Sequence, residues 1–198
     1  MGSIGILVGS GWASGINLYL VTLLLGVASR LGWGDVSDVF GRADIMVVAG
    51  ILFAVEFVAD KIPYLDNGWD AVHTVVRPLG AAAVGAVLAG DATSIVTAVS
   101  AVLAGGLALN AHAAKASTRL AVNTSPEPVS NISLSLIEDI SVAGLMALAL
   151  TYPVVTVVVV IALAVSAGAL TFWLFRTIRR TWRKIVVRIR RRRSHPEE

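Results

Sequence analysis

The stretch from Glu56 to Arg77 places charged side chains between two runs that are apolar enough to lie in a membrane. Glu56 and Asp60 are four residues apart, so they share one face of a helix. A second series follows at spacings of four, three and four, which also define one helical face: Asp66, Asp70, His73 and Arg77. Because charged groups are costly at membrane depth, they pair with one another, line a cavity or take part in function.

These carboxylates have the chemistry to carry a proton or to coordinate a cation. Two like charges that lie close together in a low dielectric do not both ionise cheaply, so at least one carboxylate is expected to keep a proton more readily than in water. The competing interpretation is an internal ion-pair network, in which Asp66 or Asp70 pairs with Arg77 and only fixes helix packing.

A basic series lies farther along the chain, and its spacings of three and four again predict one helical face. It consists of His112, Lys115 and Arg119, extended by Asn110 and Asn123. We expect this series to attract the acidic stretch. Together with Arg77 it could instead hold a phosphate or carboxylate. The simpler alternative is that Lys115 and Arg119 extend to the cytoplasmic surface.

Glu138 and Asp139 form a third polar group. Adjacent residues point about 100° apart on a helix, so only one of the two is expected to face the basic series. Asn131, Ser133 or Ser135 is the expected cap of this helix.

The first apolar run is interrupted by small residues and by Asn17. Small residues let helix backbones approach closely, which is the interpretation we favour. A discontinuous helix is the alternative, and its free backbone ends would suit ion binding. The sequence GGLALNAH at 105–112 weakly echoes GWASGINL at 11–18, which raises a weak inverted repeat as a hypothesis.

Composition indicates a membrane protein. The chain has 198 residues, of which 56% are hydrophobic and 15% charged, whereas soluble domains are about 25% charged. Six apolar segments are near or above the roughly 20 residues that cross a bilayer: 3–31, 44–61, 66–90, 93–121, 131–151 and 153–175. We therefore predict an all-α polytopic membrane bundle of about six transmembrane helices arranged as hairpins.

The basic charge is concentrated at the C-terminus, where ten of the 16 Lys and Arg residues lie between Arg176 and Arg193. We predict a transmembrane domain at 1–175 and a basic cytoplasmic tail at 176–198. A basic segment after an apolar helix favours anionic lipid, rather than nucleic acid, as its partner. Six crossings would place both termini in the cytoplasm.

Few known chemical motifs are present. The sequence has no cysteine, which excludes a disulfide framework or a thiolate metal site. It lacks GxxxxGK[ST], HExxH and a GxSxG nucleophile elbow. His73 and His112 are candidate metal ligands, but no compact spacing requires a metal, and we expect no cofactor. Metal binding and homo-oligomerisation stay open.

Three stretches together resemble a known family: SGINLY at 14–19, EFVADKIPYLDNGWDAVHTVVRPLGAA at 56–82 and NAHAAKASTRLAVNTSPEPVSN at 110–131. They are similar to the bacterial membrane family named domain of unknown function 4126, over about residues 3–175. The resemblance implies a multi-pass protein of the bacterial plasma membrane. It implies no reaction.

The leading functional hypothesis is a transporter or channel for a small ion, or for a solute with a polar or anionic headgroup. The acidic stretch, the basic series and the Glu138–Asp139 pair would form its binding site. One alternative is a structural or assembly subunit of a membrane complex. Another is a membrane-embedded enzyme acting on lipid, with His73 or a carboxylate as base.

Overall fold

The computed structural model describes residues 2–62, 64–123 and 128–194, and this part of the chain is helical with short connections. The helices are α1 (Gly2–Leu31), α2 (Ala43–Ala59), α3 (Leu65–Leu88), α4 (Ser94–Val122), α5 (Pro128–Thr151) and α6 (Pro153–Ser194). The predicted all-α class and six apolar segments are confirmed. Residues 124–127, in the predicted NTSPEPVSN loop, lie outside the described residues.

Five of these helices are long and apolar enough to cross a membrane: α1, α3, α4, α5 and α6. The remaining helix, α2, has 17 residues, slightly fewer than a typical span needs. Apolar side chains point outward along the bundle, as the lipid-facing surface of a membrane protein requires; Val72, Val102 and Ile140 are each more than half exposed.

The helix α1 turns back on itself at Asn17, whose backbone is non-helical (φ −148°, ψ 96°). If α1 were straight, residue 34 would lie about 40 Å from residue 6 at 1.5 Å per residue. Instead, a methyl group placed on Gly34 would lie 3.1 Å from the Ile6 Cδ1 atom. The first arm (residues 2–16) and the second arm (residues 18–31) therefore form a helical hairpin that enters and leaves at the same end of the bundle.

This hairpin is the centre of the fold, because the other five helices all pack against it. Apolar side chains of both arms are fully buried, among them Ala13, Val21 and Leu25. They join Val142 and Met146 of α5 in the main hydrophobic cluster. The expected close packing is present as well as the break, since a methyl group on Gly11 would lie 2.9 Å from the Ala104 Cα atom.

The path of α1 bears on the predicted arrangement of the termini. Gly5 packs against Pro153, where α6 begins, and α6 then runs to the opposite end of the bundle. The starts of α1 and α6 therefore lie at the same end of the bundle. The break at Asn17 returns the chain to the end of the bundle at which α1 starts.

Two further expectations need correction. Asn131, Ser133 and Ser135 do not cap α5, because that helix already begins at Pro128. The helix α6 does not end near residue 175 but continues through the basic segment to Ser194. The weak repeat is not matched in the backbone around the two asparagines, since α4 is continuous at Asn110.

Candidate functional site

The charged residues predicted from three separate stretches meet in one cluster, which we call the ionic network. Its members are Glu56, Asp60, Asp66, Asp70, Arg77, Lys115, Arg119 and Glu138. They come from the end of α2, the first half of α3, the second half of α4 and the first half of α5. All are buried except Glu138, whose side chain is 11% exposed. Antiparallel helices produce this arrangement, because they bring the polar ends of successive hairpins to the same side.

Arg77 links α2, α3 and α4. Its Nη2 atom donates to Glu56 Oε1 at 2.6 Å, and its Nη1 atom donates to Asp70 Oδ1 at 3.0 Å. Nη1 also lies 2.6 Å from His112 Nδ1. Because a guanidinium only donates, His112 must accept at this nitrogen, and the ring is neutral.

Lys115 connects α4 with α2, α5 and the hairpin. Its Nζ atom lies 2.7 Å from Asp60 Oδ2 and 3.4 Å from Glu138 Oε2. Glu56 Oε1 is 3.6 Å away. Lys115 is 5% exposed, so the alternative that it extends to the cytoplasmic surface is wrong.

Arg119 is fully buried and connects α2, α4 and α5. Its guanidinium forms two hydrogen bonds with the carboxylate of Glu138. Nε donates to Oε1 at 3.2 Å, and Nη2 donates to Oε2. Nη1 donates to the main-chain oxygen of Asp60 at 2.6 Å, and Asp66 Oδ2 is 3.5 Å away. Arg119 therefore also stays inside the bundle.

Two asparagine side chains, Asn123 and Asn131, form hydrogen bonds at the end of the network near Asp66. Asn123 Nδ2 donates to both carboxylate oxygens of Asp66 at 2.9 Å. Asn131 in turn donates to Asn123 Oδ1 at 3.0 Å. Asp66 thus has polar partners on both oxygens, and the start of α5 is tied to the end of α4.

The turn of α1 lies against this network and supplies free backbone groups to it. The carbonyl oxygen of Ile16 accepts from Lys115 Nζ at 3.0 Å, and that of Gly15 accepts from Arg77 Nη1 at 3.4 Å. These carbonyls end the first arm, where the helix dipole favours cations. Asn17 Oδ1 accepts from the main-chain nitrogen of Leu20 at 2.9 Å, so Asn17 caps the second arm.

Asn17 binds one of the two adjacent acids on α5, and the other acid binds the cations of the network. Its Nδ2 atom donates to Asp139 Oδ1 at 3.0 Å, whereas Glu138 pairs with Lys115 and Arg119. The two carboxylates face different partners, as their helical offset requires.

His73 lies beside the network and has no hydrogen bond to its carboxylates. Its Nδ1 atom donates to the main-chain oxygen of Trp69 at 2.8 Å, which leaves Nε2 to accept from the Tyr19 hydroxyl at 2.9 Å. The ring stacks on Trp69 with centroids 4.5 Å apart. His73 therefore connects α3 with the second arm of α1.

The ionic network contains more acid than base. Three cations, Arg77, Lys115 and Arg119, face five carboxylates, so two negative charges are left over when every group is ionised. Lys61 and Asp139 add one charge of each sign nearby and leave this excess unchanged. A buried excess of charge is costly unless a proton or another cation neutralises it.

A groove of about 340 Å³ runs between α2, α3 and the second arm of α1. Its walls are mostly apolar, and Tyr19 forms part of them. Since the Tyr19 hydroxyl bonds His73, Tyr19 lies between this groove and the edge of the ionic network.

The structure brings most of the proposed site residues together, with three distinctions. Asn110 lies apart, because its Nδ2 atom donates to the Ala164 oxygen of α6 at 3.3 Å. His73 and Asp139 lie at the edge. No group of three His, Asp or Glu side chains among the described residues is arranged to hold a metal ion.

Sequence reasoning did not include Tyr19, Thr74 or Lys61. Thr74 Oγ1 lies 3.0 Å from His112 Nε2, and Lys61 Nζ donates to Ser135 Oγ at 3.2 Å. Asn17 was considered as a break in the first helix whose free backbone ends would suit ion binding, but its side-chain partners were not predicted. The run SGINLY contained the available signal, since it places polar Asn17 and Tyr19 within an otherwise apolar segment.

Comparison with known proteins gives a family and no relative of known activity. No curated protein and no solved structure matches the chain. A family profile matches residues 4–175, which include every helix that contributes to the ionic network. The chain belongs to the family described as domain of unknown function (DUF4126).

Proposed function

We propose that this chain is a multi-pass transporter or channel that moves a small cation, with its binding site in the ionic network at the turn of α1. One observation carries the proposal: a helix broken inside the bundle presents its free ends to a buried network with excess acid. Broken helices at membrane depth are tolerated where they line a cavity or a polar site, and many transporters bind ions at such breaks.

The pairing of the cations favours a cation over an anionic solute. Arg77 contacts two carboxylates, and Lys115 and Arg119 contact three each. A phosphate or anionic headgroup would have to displace these carboxylates while they remain buried nearby. A cation instead compensates charge that the network already carries.

The proposed membrane placement follows from the tail and from α1. We place residues 1–175 in the bacterial plasma membrane and the basic segment 176–198 at the cytoplasmic surface, against anionic lipid. Because α1 turns back at Asn17, the N-terminus then lies on the opposite, external side. The ionic network occupies the cytoplasmic half.

Ion flux into liposomes tests this function. The full chain is reconstituted, and uptake of protons, sodium, potassium and phosphate is compared with that of empty liposomes. We expect cation flux in the wild type and a loss of about tenfold or more in Asp60→Asn. Asp38→Asn is the matched control, since Asp38 is exposed in the α1–α2 connection. Phosphate flux without cation flux, or flux unaffected by Asp60→Asn, would contradict the proposal.

A structural or assembly subunit is the second candidate, and the same pairing gives it support. Every cation of the network has several protein partners, as expected of a cluster that only joins helices. In that case Asp60→Asn would lower thermal stability in detergent, and the wild type would carry no ion above the background of empty liposomes.

A further inference from the structure

One of the two excess negative charges of the ionic network is located at Arg77. Three carboxylates have partners other than Arg77: Asp66 accepts from Asn123 on both oxygens, Glu138 binds Arg119, and Asp60 contacts Lys115 and Arg119. The remaining two, Glu56 and Asp70, share the guanidinium of Arg77. Two carboxylates that share one cation leave one negative charge uncompensated. Lys115 offsets this charge weakly, because its Nζ atom lies 3.6 Å from Glu56 Oε1 and also contacts Asp60 and Glu138.

Each of these two carboxylates has an oxygen without a hydrogen bond from the described residues. Glu56 Oε2 and Asp70 Oδ2 are both buried, and neither has a partner there. Asp60 Oδ1 and Asp139 Oδ2 share this feature, but Asp60 contacts two cations at 2.7 and 3.3 Å, whereas Glu56 and Asp70 divide one guanidinium between them. The side chains themselves are 0% and 3% exposed. An ionised oxygen in this position loses its hydration and gains nothing in return, whereas an oxygen that carries a proton has lost its charge.

The surroundings of the pair also match a proton better than a metal cation. A sodium or calcium ion needs several oxygen ligands that converge on one point. In the described part of the chain, no three carboxylates or imidazoles are so arranged. A proton needs one oxygen only.

Charged and titratable groups face the pair from four helices. They are Tyr19 from α1, Asp60 at the end of α2, His73 and Arg77 from α3, and His112, Lys115 and Arg119 from α4. Glu138 of α5 affects the pair indirectly, through its contact with Lys115. The cations of this set are Arg77, Lys115 and Arg119, and Arg77 alone donates to both carboxylates of the pair. His112 accepts from Arg77, so it stays neutral while that bond persists.

We propose that Glu56 and Asp70 form a proton-binding pair centred on Arg77, and that the ion moved by this protein is the proton. This inference rests on the proposed transport function. One carboxylate oxygen of the pair takes up a proton as an O–H bond forms, and the charge of the pair rises from −2 to −1, which balances Arg77. Release of the proton restores the negative excess.

The pair lies where a change of charge can act on helix packing. Glu56 belongs to α2 and Asp70 to α3, and these helices flank the groove at Tyr19. Loss of the proton makes the two carboxylates repel one another across Arg77. The charge of the pair therefore acts on the contact between α2 and α3.

Infrared spectroscopy tests the proton site without relying on transport. The full chain in lipid nanodiscs is titrated from acid to alkaline pH, and the carbonyl band of protonated carboxyl groups is recorded. We expect a protonated band at neutral pH in the wild type, its loss or shift in Glu56→Gln and in Asp70→Asn, and no change in Asp38→Asn. Each amide substitution keeps the side-chain shape and removes excess negative charge, so folding is retained. A wild-type band that is absent at neutral pH, or one that survives both substitutions, overturns the proposal.

Flux measurements separate this inference from the proposed function. In liposomes with an internal pH-sensitive dye and an imposed potential, we expect proton flux that Glu56→Gln lowers about tenfold or more and Asp38→Asn leaves unchanged. Sodium or potassium flux without proton flux overturns the proton as the moved ion and leaves transport intact. A protonated carboxyl band with no flux of any ion retains the proton-binding pair and overturns transport.

Discussion

The two halves of this bundle are held together by opposite means. In the small-residue half, which contains the start of α1 and the α3–α4 and α5–α6 connections, helices touch through their backbones. A methyl group on Gly85 would lie 2.7 Å from the Ser100 oxygen, and one on Gly9 would lie 2.8 Å from Ala149 Cβ. In the charged half, which contains the ionic network, helices are joined by long side chains. Arg77 alone connects α2, α3 and α4.

This difference between the two halves reflects the lipid that surrounds the helices. Lipid chains are as apolar as leucine, so helices in a bilayer gain little by burying apolar side chains against each other. Close backbone contact and polar bonds are the two remaining ways to associate. The small-residue half uses close contacts between helix backbones, whereas the charged half keeps groups that change charge. The turn of α1 at Asn17 lies where the two halves meet.

The largest expected effect is the loss of a buried cation. Arg119→Ala leaves Glu138 and Asp60 without their guanidinium partner, and breaking a buried pair in this way costs about 3–5 kcal/mol. We expect a fall of that size in the free energy of unfolding, measured by denaturing-detergent titration. Arg42→Ala is the control, because the Arg42–Asp44 pair is more than 60% exposed on both sides (63% and 62%). Equal losses in the two variants would show that burial does not distinguish these ion pairs.

A smaller effect is expected from crowding the hairpin. A methyl group on Gly15 would overlap the main-chain oxygen of Ala108 and lie 2.7 Å from Ala111 Cβ. Gly15→Ala should therefore lower the free energy of unfolding by about 1–3 kcal/mol. Gly106→Ala is matched to it, since nothing lies within 4 Å of that position, and it should gain up to about 1 kcal/mol from helix propensity. A stable Gly15→Ala protein would argue against close contact between α1 and α4.

Removal of the Asn17 cap at the turn of α1 should lower the free energy of unfolding by a smaller amount. Asn17→Ala loses the bond to the Leu20 main chain and the bond to Asp139, and loss of an N-cap costs about 1 kcal/mol. Asn110→Ala loses one bond, to the Ala164 oxygen at 3.3 Å, and should change thermal stability less. If cation flux is retained in Asn17→Ala at wild-type rates, the broken helix is structural and is not part of the ion site.

The smallest expected change is at the edge of the groove. Tyr19→Phe removes one hydroxyl and its bond to His73, a loss of about 1 kcal/mol. Thermal unfolding should shift slightly, and the ring should still fill the groove wall. Thr22→Val, at the same wall, is a comparison that leaves His73 untouched. A collapse of stability in Tyr19→Phe alone would mean that the groove depends on this hydrogen bond for its shape.

The charged half was predicted well because its signal is local. Spacings of three and four residues place Asp66, Asp70 and Arg77 on one face of a helix wherever that helix lies. Pairing of the acidic stretch with the basic series followed from charge alone. The choice of carboxylate by each cation could not be predicted, because several pairings are compatible with the same helical faces. The depth at which the helices pack against one another selects among these pairings.

The small-residue half and α1 were predicted less well. The glycines indicate close packing without naming a partner, and Asn17 fits either a break or a polar interruption in a straight helix. Its role depends on contacts with Leu20, Asp139 and the cations of α3 and α4. Those cations are more than 50 residues away in sequence, so no local pattern contains them.

The sequence by itself determined the class of this protein: apolar segments of membrane length, polar faces at helical spacing and a basic C-terminal segment. Hydropathy and periodicity act within single helices, which is why they can be read directly. Only the tertiary structure decided that α1 turns back, that its free ends face the ionic network and that Glu56 and Asp70 share Arg77. These features depend on the depth at which separate helices meet, and that depth is fixed when all six pack together.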